Sequence, residues 1–259
     1  MLPYVESTQF SLGPLVIHTW GLFASLGMVL ASVVAVREAR RRGIDTDRVL
    51  TLILWSLIVA FIGARVAYVA NEWGEFRSDP VQVFALWGGG LASWGGIVGI
   101  VVVLAVLTRR WRVSFWQYAD VIAVAAPLGL AFGRIGCSLI HDHLGRITTM
   151  PWGIETLDGT IRHEPSTYLV LFNLALFLAL WWLARRRSLP QGVLTTFFLV
   201  GQGLGRLVFD TFRAADLSLV DPRFGALTVA QYFFLAQIVV GLGLWVWLRR
   251  QRQTRSRST

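Results

Sequence analysis

Apolar residues run along this chain in seven blocks, each close to the roughly 20 residues that an α-helix needs to cross a hydrocarbon core. They cover about residues 15–36, 49–70, 88–108, 119–140, 166–184, 192–211 and 229–248. The third is glycine-rich ("WGGGLASWGGIVGIVVVL"), and the fourth and sixth end in polar residues. The longest connection, residues 141–165, leaves no room for a soluble domain, and no internal repeat stands out. The pattern predicts an all-α integral membrane protein, a seven-transmembrane-helix bundle forming a single polytopic membrane domain over 1–259.

Composition supports this class: 55% of the 259 residues are hydrophobic and 12 are tryptophan. The net charge of +9 comes from arginine alone, with no lysine, and most arginines stand in short clusters between the apolar blocks. That distribution argues for topology-setting loops and against nucleic-acid binding. Loop 37–48 carries Arg37, Arg40, Arg41, Arg42 and Arg48; loop 109–118 carries Arg109, Arg110 and Arg112; loop 185–191 carries Arg185, Arg186 and Arg187. The tail adds Arg249, Arg250, Arg252, Arg255 and Arg257, while the alternate segments hold two or fewer each. The positive-inside rule then places the N-terminus outside and the C-terminus in the cytoplasm. The opening "MLPYVESTQFSLGPL" has no basic region before its first apolar block, so it does not read as a cleavable signal peptide. With Cys137 alone, no intrachain disulfide can form.

Three arginines fall inside or at the edge of spans: Arg65, Arg134 and Arg206. Arginine at the bilayer centre costs about 3 kcal/mol on insertion scales, so each needs a reason. The expected topology sets all three at the outer level of the second, fourth and sixth spans, with Asp142, Asp210 and Trp94 at the same height. One reading is structural: the guanidiniums snorkel or lock helices, and Arg206 pairs with Asp210 one turn on. The other is a pocket for an anionic lipid headgroup, since a guanidinium fork suits a phosphate diester. Glycines flanking Arg134 in "GRIG" expose backbone beside it and favour the pocket there.

The stretch "GRIGCSLIHDHLGR" (133–146) adds two histidines around an aspartate. His141 or His143 could act as a base oriented by Asp142, or both could be polar residues closing the fourth span. An H-x-H pair with an aspartate could contribute metal ligands. Only His18 and His163 remain elsewhere, so no metal and no cofactor are expected. Cys137 fits a small apolar filler better than a covalent lipid carrier.

Several motifs, in order along the chain, resemble those of the prolipoprotein diacylglyceryl transferase family. They are "LGPLVIHTWGL" (12–22), "GARVAYV" (63–69), "WGGGLASWGGIVG" (87–99), "APLGLAFGRIGC" (126–137), "GRLVFDTFR" (205–213) and "LTVAQ" (227–231). The resemblance implies a multi-pass enzyme of the bacterial inner membrane, with phosphatidylglycerol, prolipoprotein signal peptides and the lipid bilayer as partners. It implies transfer of a diacylglyceryl group from phosphatidylglycerol to a lipobox cysteine thiol, with release of glycerol phosphate. On this reading Arg134 and Arg206 clamp the phosphate and Asp142 falls at the signature glutamate; His141 and His143, which the family signature lacks, would share the catalytic work as a substitute base. Asp210, Arg213, Gly145, Arg146, Trp20, Trp94, Gly95, Gly96, Arg65 and Cys137 would line the phosphatidylglycerol site. The chain departs from the family pattern in four places. Trp20 stands for a tyrosine, Trp94 for the histidine of H-G-G, and Cys137 and Ile140 for signature asparagines. "PSTY" (165–168) matches the family's motif before the fifth span only loosely. A divergent paralogue with another acceptor, or a phospholipid-binding or transport protein without transferase chemistry, are the competing readings.

Overall fold

The computed structural model describes all residues except 1, 5, 14, 78, 86–89, 187–188, 215, 217–222, 225–226 and 256–259. The expected start of the third span at residue 88 falls outside the described residues, as do Arg187 and Arg257. Seven helices are long and apolar enough to cross a membrane. They are α1 (Thr19–Arg41), α2 (Thr46–Asn71), α4 (Ser93–Trp111), α5 (Phe115–Leu139), α6 (Pro165–Ala184), α7 (Val193–Asp210) and α8 (Val229–Arg255). A short helix α3 (Trp73–Phe76) and a 3-10 turn (Pro80–Phe84) lie between α2 and α4. The protein is a multi-pass membrane protein. Large apolar side chains stand exposed along the helices, as expected where lipid replaces water: Val66, Leu171 and Val239 are each more than 60% accessible.

The helix ends follow local chemistry. Asp45 caps α2 by accepting from the backbone N–H of Asp47 and Arg48. Gly43, at φ 67°, makes the turn that ends α1. Residues 15–18, expected to open the first span, instead form strand β3 (Leu15–His18), paired antiparallel with β2 (Gln9–Leu12). The β-branched Val16 and Ile17 suit that strand.

The chain divides into two compact units, Val36–Ala119 on one hand and Met1–Ala35 with Asp120–Thr259 on the other. In the first, α2 and α4 cross at glycines. A Cβ on Gly95 would collide with the Gly63 carbonyl and the Ala67 methyl, and one on Gly99 with the Val59 carbonyl. Small residues let membrane helices approach this closely, which accounts for the glycine-rich start of α4.

In the second unit, α1 meets α5 where a Cβ on Gly27 would stand 2.8 Å from the Gly129 carbonyl oxygen. A core of Val124, Leu180, Ala184 and Leu194 joins α5, α6 and α7. The Asp120 carboxylate caps α7, accepting from Gly192 N, Thr195 N and Thr195 Oγ1 at 2.7–2.8 Å. Between α5 and α6 the chain forms a small β-rich segment. Strand β4 (Ile154–Glu155) pairs in parallel with β1 (Leu2–Pro3) and antiparallel with β5 (Ile161–Arg162). Arg162 is buried and forms an ion pair with Asp216 at 2.7 Å. This segment sits over the ends of α5, α6 and α7, which is what builds the site.

Candidate active site

Arg134 lies on the last turns of α5, and Arg206 and Asp210 on the last turns of α7. They share one small open cavity, about 220 Å³ counting its mouth, with His143, Pro165, Ser166, Leu169, Phe209 and Arg213. All of these residues belong to the second unit. Three guanidiniums, one imidazole and one carboxylate therefore meet in a space completed by Ser166 and three apolar residues.

Each charge is held differently. Arg206 stacks on the Phe234 ring, 4.8 Å from its centroid, and among the described residues has no carboxylate within ion-pair distance. The Arg134 guanidinium makes a long contact of 3.8 Å with the Cys137 sulfur. Asp210 is buried, accepts from the Thr228 hydroxyl at 3.3 Å, and forms its ion pair with Arg213 at 3.4 Å. The i,i+4 pair of Arg206 with Asp210, one of the two readings of the sequence, gives way to an i,i+3 pair of Asp210 with Arg213. Guanidinium donors that outnumber the carboxylate beside them suit an anion.

The two histidines separate cleanly. His143 lines the cavity, and its Nδ1 lies 2.8 Å from Asp142 Oδ2. The contact from His143 holds the Asp142 carboxyl below the usual carboxylate range, helped by the fields of Arg134 and Arg213. His141 is buried away from the cavity. Its Nδ1 lies 2.9 Å from Glu164 Oε2, and the Tyr4 ring stacks on it at 4.2 Å. Burial pushes the Glu164 carboxyl up, against the pull of His141.

Glu164, just before the cavity-lining Pro165 and Ser166, is a residue that the sequence reading did not single out. Glu164 also caps α6, accepting from Ser166 N, ahead of Pro165 in the first turn. The Tyr168 hydroxyl accepts from Trp152 Nε1 at 3.0 Å and lies 2.8 Å from His163 Nδ1. Burial holds His163 below the ordinary imidazole value, and its Nδ1 shares a hydrogen bond with the Tyr168 hydroxyl. An acid followed by proline ahead of an apolar block is a helix-start signal that could have flagged Glu164.

Gly145 is a close-approach position. It hydrogen-bonds to the His163 carbonyl at 2.8 Å and bridges to Arg213, and a Cβ there would stand 2.6–2.8 Å from the His163 and Phe212 carbonyl oxygens. Arg146 is exposed and donates to the Arg213 carbonyl at 3.4 Å. Trp20, at the start of α1, packs on Gly136 of α5. Arg65, Trp94, Gly95 and Gly96 belong to the other unit. There Arg65 is buried and donates to the carbonyls of Gln82, Val83, Ala85 and Gly90 at 2.6–3.2 Å, between the Tyr68 and Phe76 rings. Those partners account for its burial without any ligand. No group of three or more metal-ligating side chains occurs among the described residues.

The profile of a family described as prolipoprotein diacylglyceryl transferase matches residues 7–247. The chain belongs to the prolipoprotein diacylglyceryl transferase family. It is 34% identical to a relative from Synechococcus elongatus over 91% of this chain and 84% of that one. It is 32% identical to one from Legionella pneumophila (93% and 96%) and 31% identical to one from Coxiella burnetii (92% and 94%). Each is named a phosphatidylglycerol–prolipoprotein diacylglyceryl transferase. Trp94, where the resemblance places a histidine, is 42% accessible near the start of α4.

Proposed function

We propose that this protein transfers the diacylglyceryl group of phosphatidylglycerol to the cysteine thiol of a prolipoprotein signal peptide, at the outer face of the bacterial inner membrane. The observation that carries the reading is the cavity: two arginines that form no ion pair among the described residues, beside an imidazole 2.8 Å from a carboxylate, in a chain of this family. Its placement at the outer face follows the arginine-rich loops, which the positive-inside rule assigns to the cytoplasm.

Arg134 and Arg206 hold the phosphate of the lipid, with Arg213 tethered to Asp210 at the rim. The thiol is the nucleophile only as thiolate. An ordinary thiol lies about two pKa units above an ordinary imidazole, so proton transfer to His143 Nε2 is uphill by about 3 kcal/mol before the arginines' positive field reduces it. Asp142 keeps Nδ1 protonated and stabilises the imidazolium that forms. Sulfur attacks the diacylglyceryl carbon bonded to the phosphate oxygen, the carbon–sulfur bond forms, and the carbon–oxygen bond breaks. Glycerol phosphate departs with the electron pair, its growing charge met by the arginine donors already in place.

Complementation tests this reading. Expressed in a bacterium depleted of its own transferase, the protein should restore growth and lipoprotein processing. Normal accumulation of the protein in the membrane without rescue would favour a paralogue acting on another acceptor.

A further inference from the structure

His141 is a base-like residue that the proposed chemistry does not use. Its side chain and that of Glu164 are 5% and 3% accessible, its Nε2 has no hydrogen-bond partner, and neither residue lines the cavity. His141 also has a φ of 48°, the left-handed region. Outside glycine that conformation is uncommon and costs about 1–2 kcal/mol. It falls in the turn that leaves α5, where Ile140 N donates to the Gly136 carbonyl and Asp142 N to the Cys137 carbonyl. The next residues are Asp142 and His143. The left-handed residue therefore sets the direction in which His143 leaves the helix end.

We propose that His141 and Glu164 are positioning residues: their buried contact holds the left-handed turn that points His143 into the arginine-lined cavity. Three contacts converge on it. Glu164 is fixed by its own role as the cap of α6, so its Oε2 is a stationary anchor for His141 Nδ1 at 2.9 Å. Tyr4 stacks on the face of the ring, 4.2 Å away and inclined by only 21°. The segment before the turn is tied as well, with Ser7 N donating to the Leu139 carbonyl. Without the contact to Glu164, the turn would relax toward an ordinary backbone conformation and carry His143 with it. An error of about 1 Å in a catalytic group costs about 100-fold in rate.

This inference rests on His143 being the base, and the experiment separates the two claims. Purified full-length variants in phosphatidylglycerol-containing nanodiscs are assayed with a lipobox peptide as acceptor. His143→Ala should lower kcat by about 100-fold or more. His141→Ala should lower kcat by about 100-fold and leave the KM for phosphatidylglycerol within about 2-fold, because the turn loses its anchor while the arginines stay. His141→Gly should regain about tenfold over His141→Ala, since glycine enters the left-handed region without strain. Glu164→Gln, which keeps an oxygen acceptor for Nδ1–H, should lie closer to wild type than Glu164→Ala. Full activity in His143→Ala would remove the base reading, and the positioning role with it. An inactive His143→Ala beside a fully active His141→Ala would overturn the positioning role alone. So would a His141→Gly no better than His141→Ala while folded, since His141 chemistry would then be required in itself.

Discussion

Arg65 and Arg206 are both arginines in spanning helices, yet their surroundings differ in kind. Arg65 is enclosed by four backbone carbonyls and two rings, so its donors are satisfied by the loop it holds. Arg206 rests on one ring, faces a cavity, and shares that cavity with two more guanidiniums. An ionisable residue in a span is a reason to look for function, and its acceptors decide the matter. Where the protein supplies acceptors the arginine is a brace; where it supplies a hollow and further positive charge, the acceptor comes from outside.

This contrast can be broken most severely at the cavity. Arg206→Ala or Arg134→Ala should lower kcat/KM for phosphatidylglycerol by about 1,000-fold, the scale of losing a preorganised donor to a developing anion. Lysine at either position should recover only part, because a point charge does not reproduce the guanidinium fork. Next comes Arg65→Ala, expected to lower unfolding stability by about 3 kcal/mol through unsatisfied buried carbonyls, while the folded fraction keeps its affinity for the lipid. A variant with normal thermal stability and lost lipid affinity would reverse the assignment.

Asp210→Asn should be milder, about tenfold in kcat, since it removes one charge-assisted contact that orients Arg213. The smallest effect concerns pH. The folded-state pKa of Asp142 is lowered by its contact with His143, so its contribution to stability is present above the ordinary carboxylate value. That contribution is lost as pH falls through the lower folded value. The stability difference between wild type and Asp142→Asn should therefore persist near pH 5 and shrink below about pH 4 in melting experiments.

Much of the fold was legible because bilayer-spanning helices leave a strong signal: seven apolar blocks became seven helices. Boundaries moved where local chemistry competes with hydropathy. Residues 15–18 went to a hairpin, and α5 begins at Phe115 rather than near 119. The arginines of the site were legible from their cost in a span, but which of them is a brace was not. The four carbonyls around Arg65 come from residues 17–25 positions away, three of them in a loop without a motif. The histidine pair could not be resolved either, since both residues flank the same aspartate. The left-handed turn at His141 separates them, turning one ring inward to Glu164 and the other to the cavity. Glu164 escaped notice because its partner lies 23 residues earlier, across the β-rich segment.

The most direct test is mass spectrometry of a lipobox peptide incubated with the purified protein in phosphatidylglycerol nanodiscs. Wild type should yield the diacylglyceryl thioether together with an equal amount of glycerol phosphate, while Arg206→Ala and His143→Ala should yield neither at a comparable rate. Thioether formed at the wild-type rate by Arg206→Ala would contradict the cavity as the site of transfer.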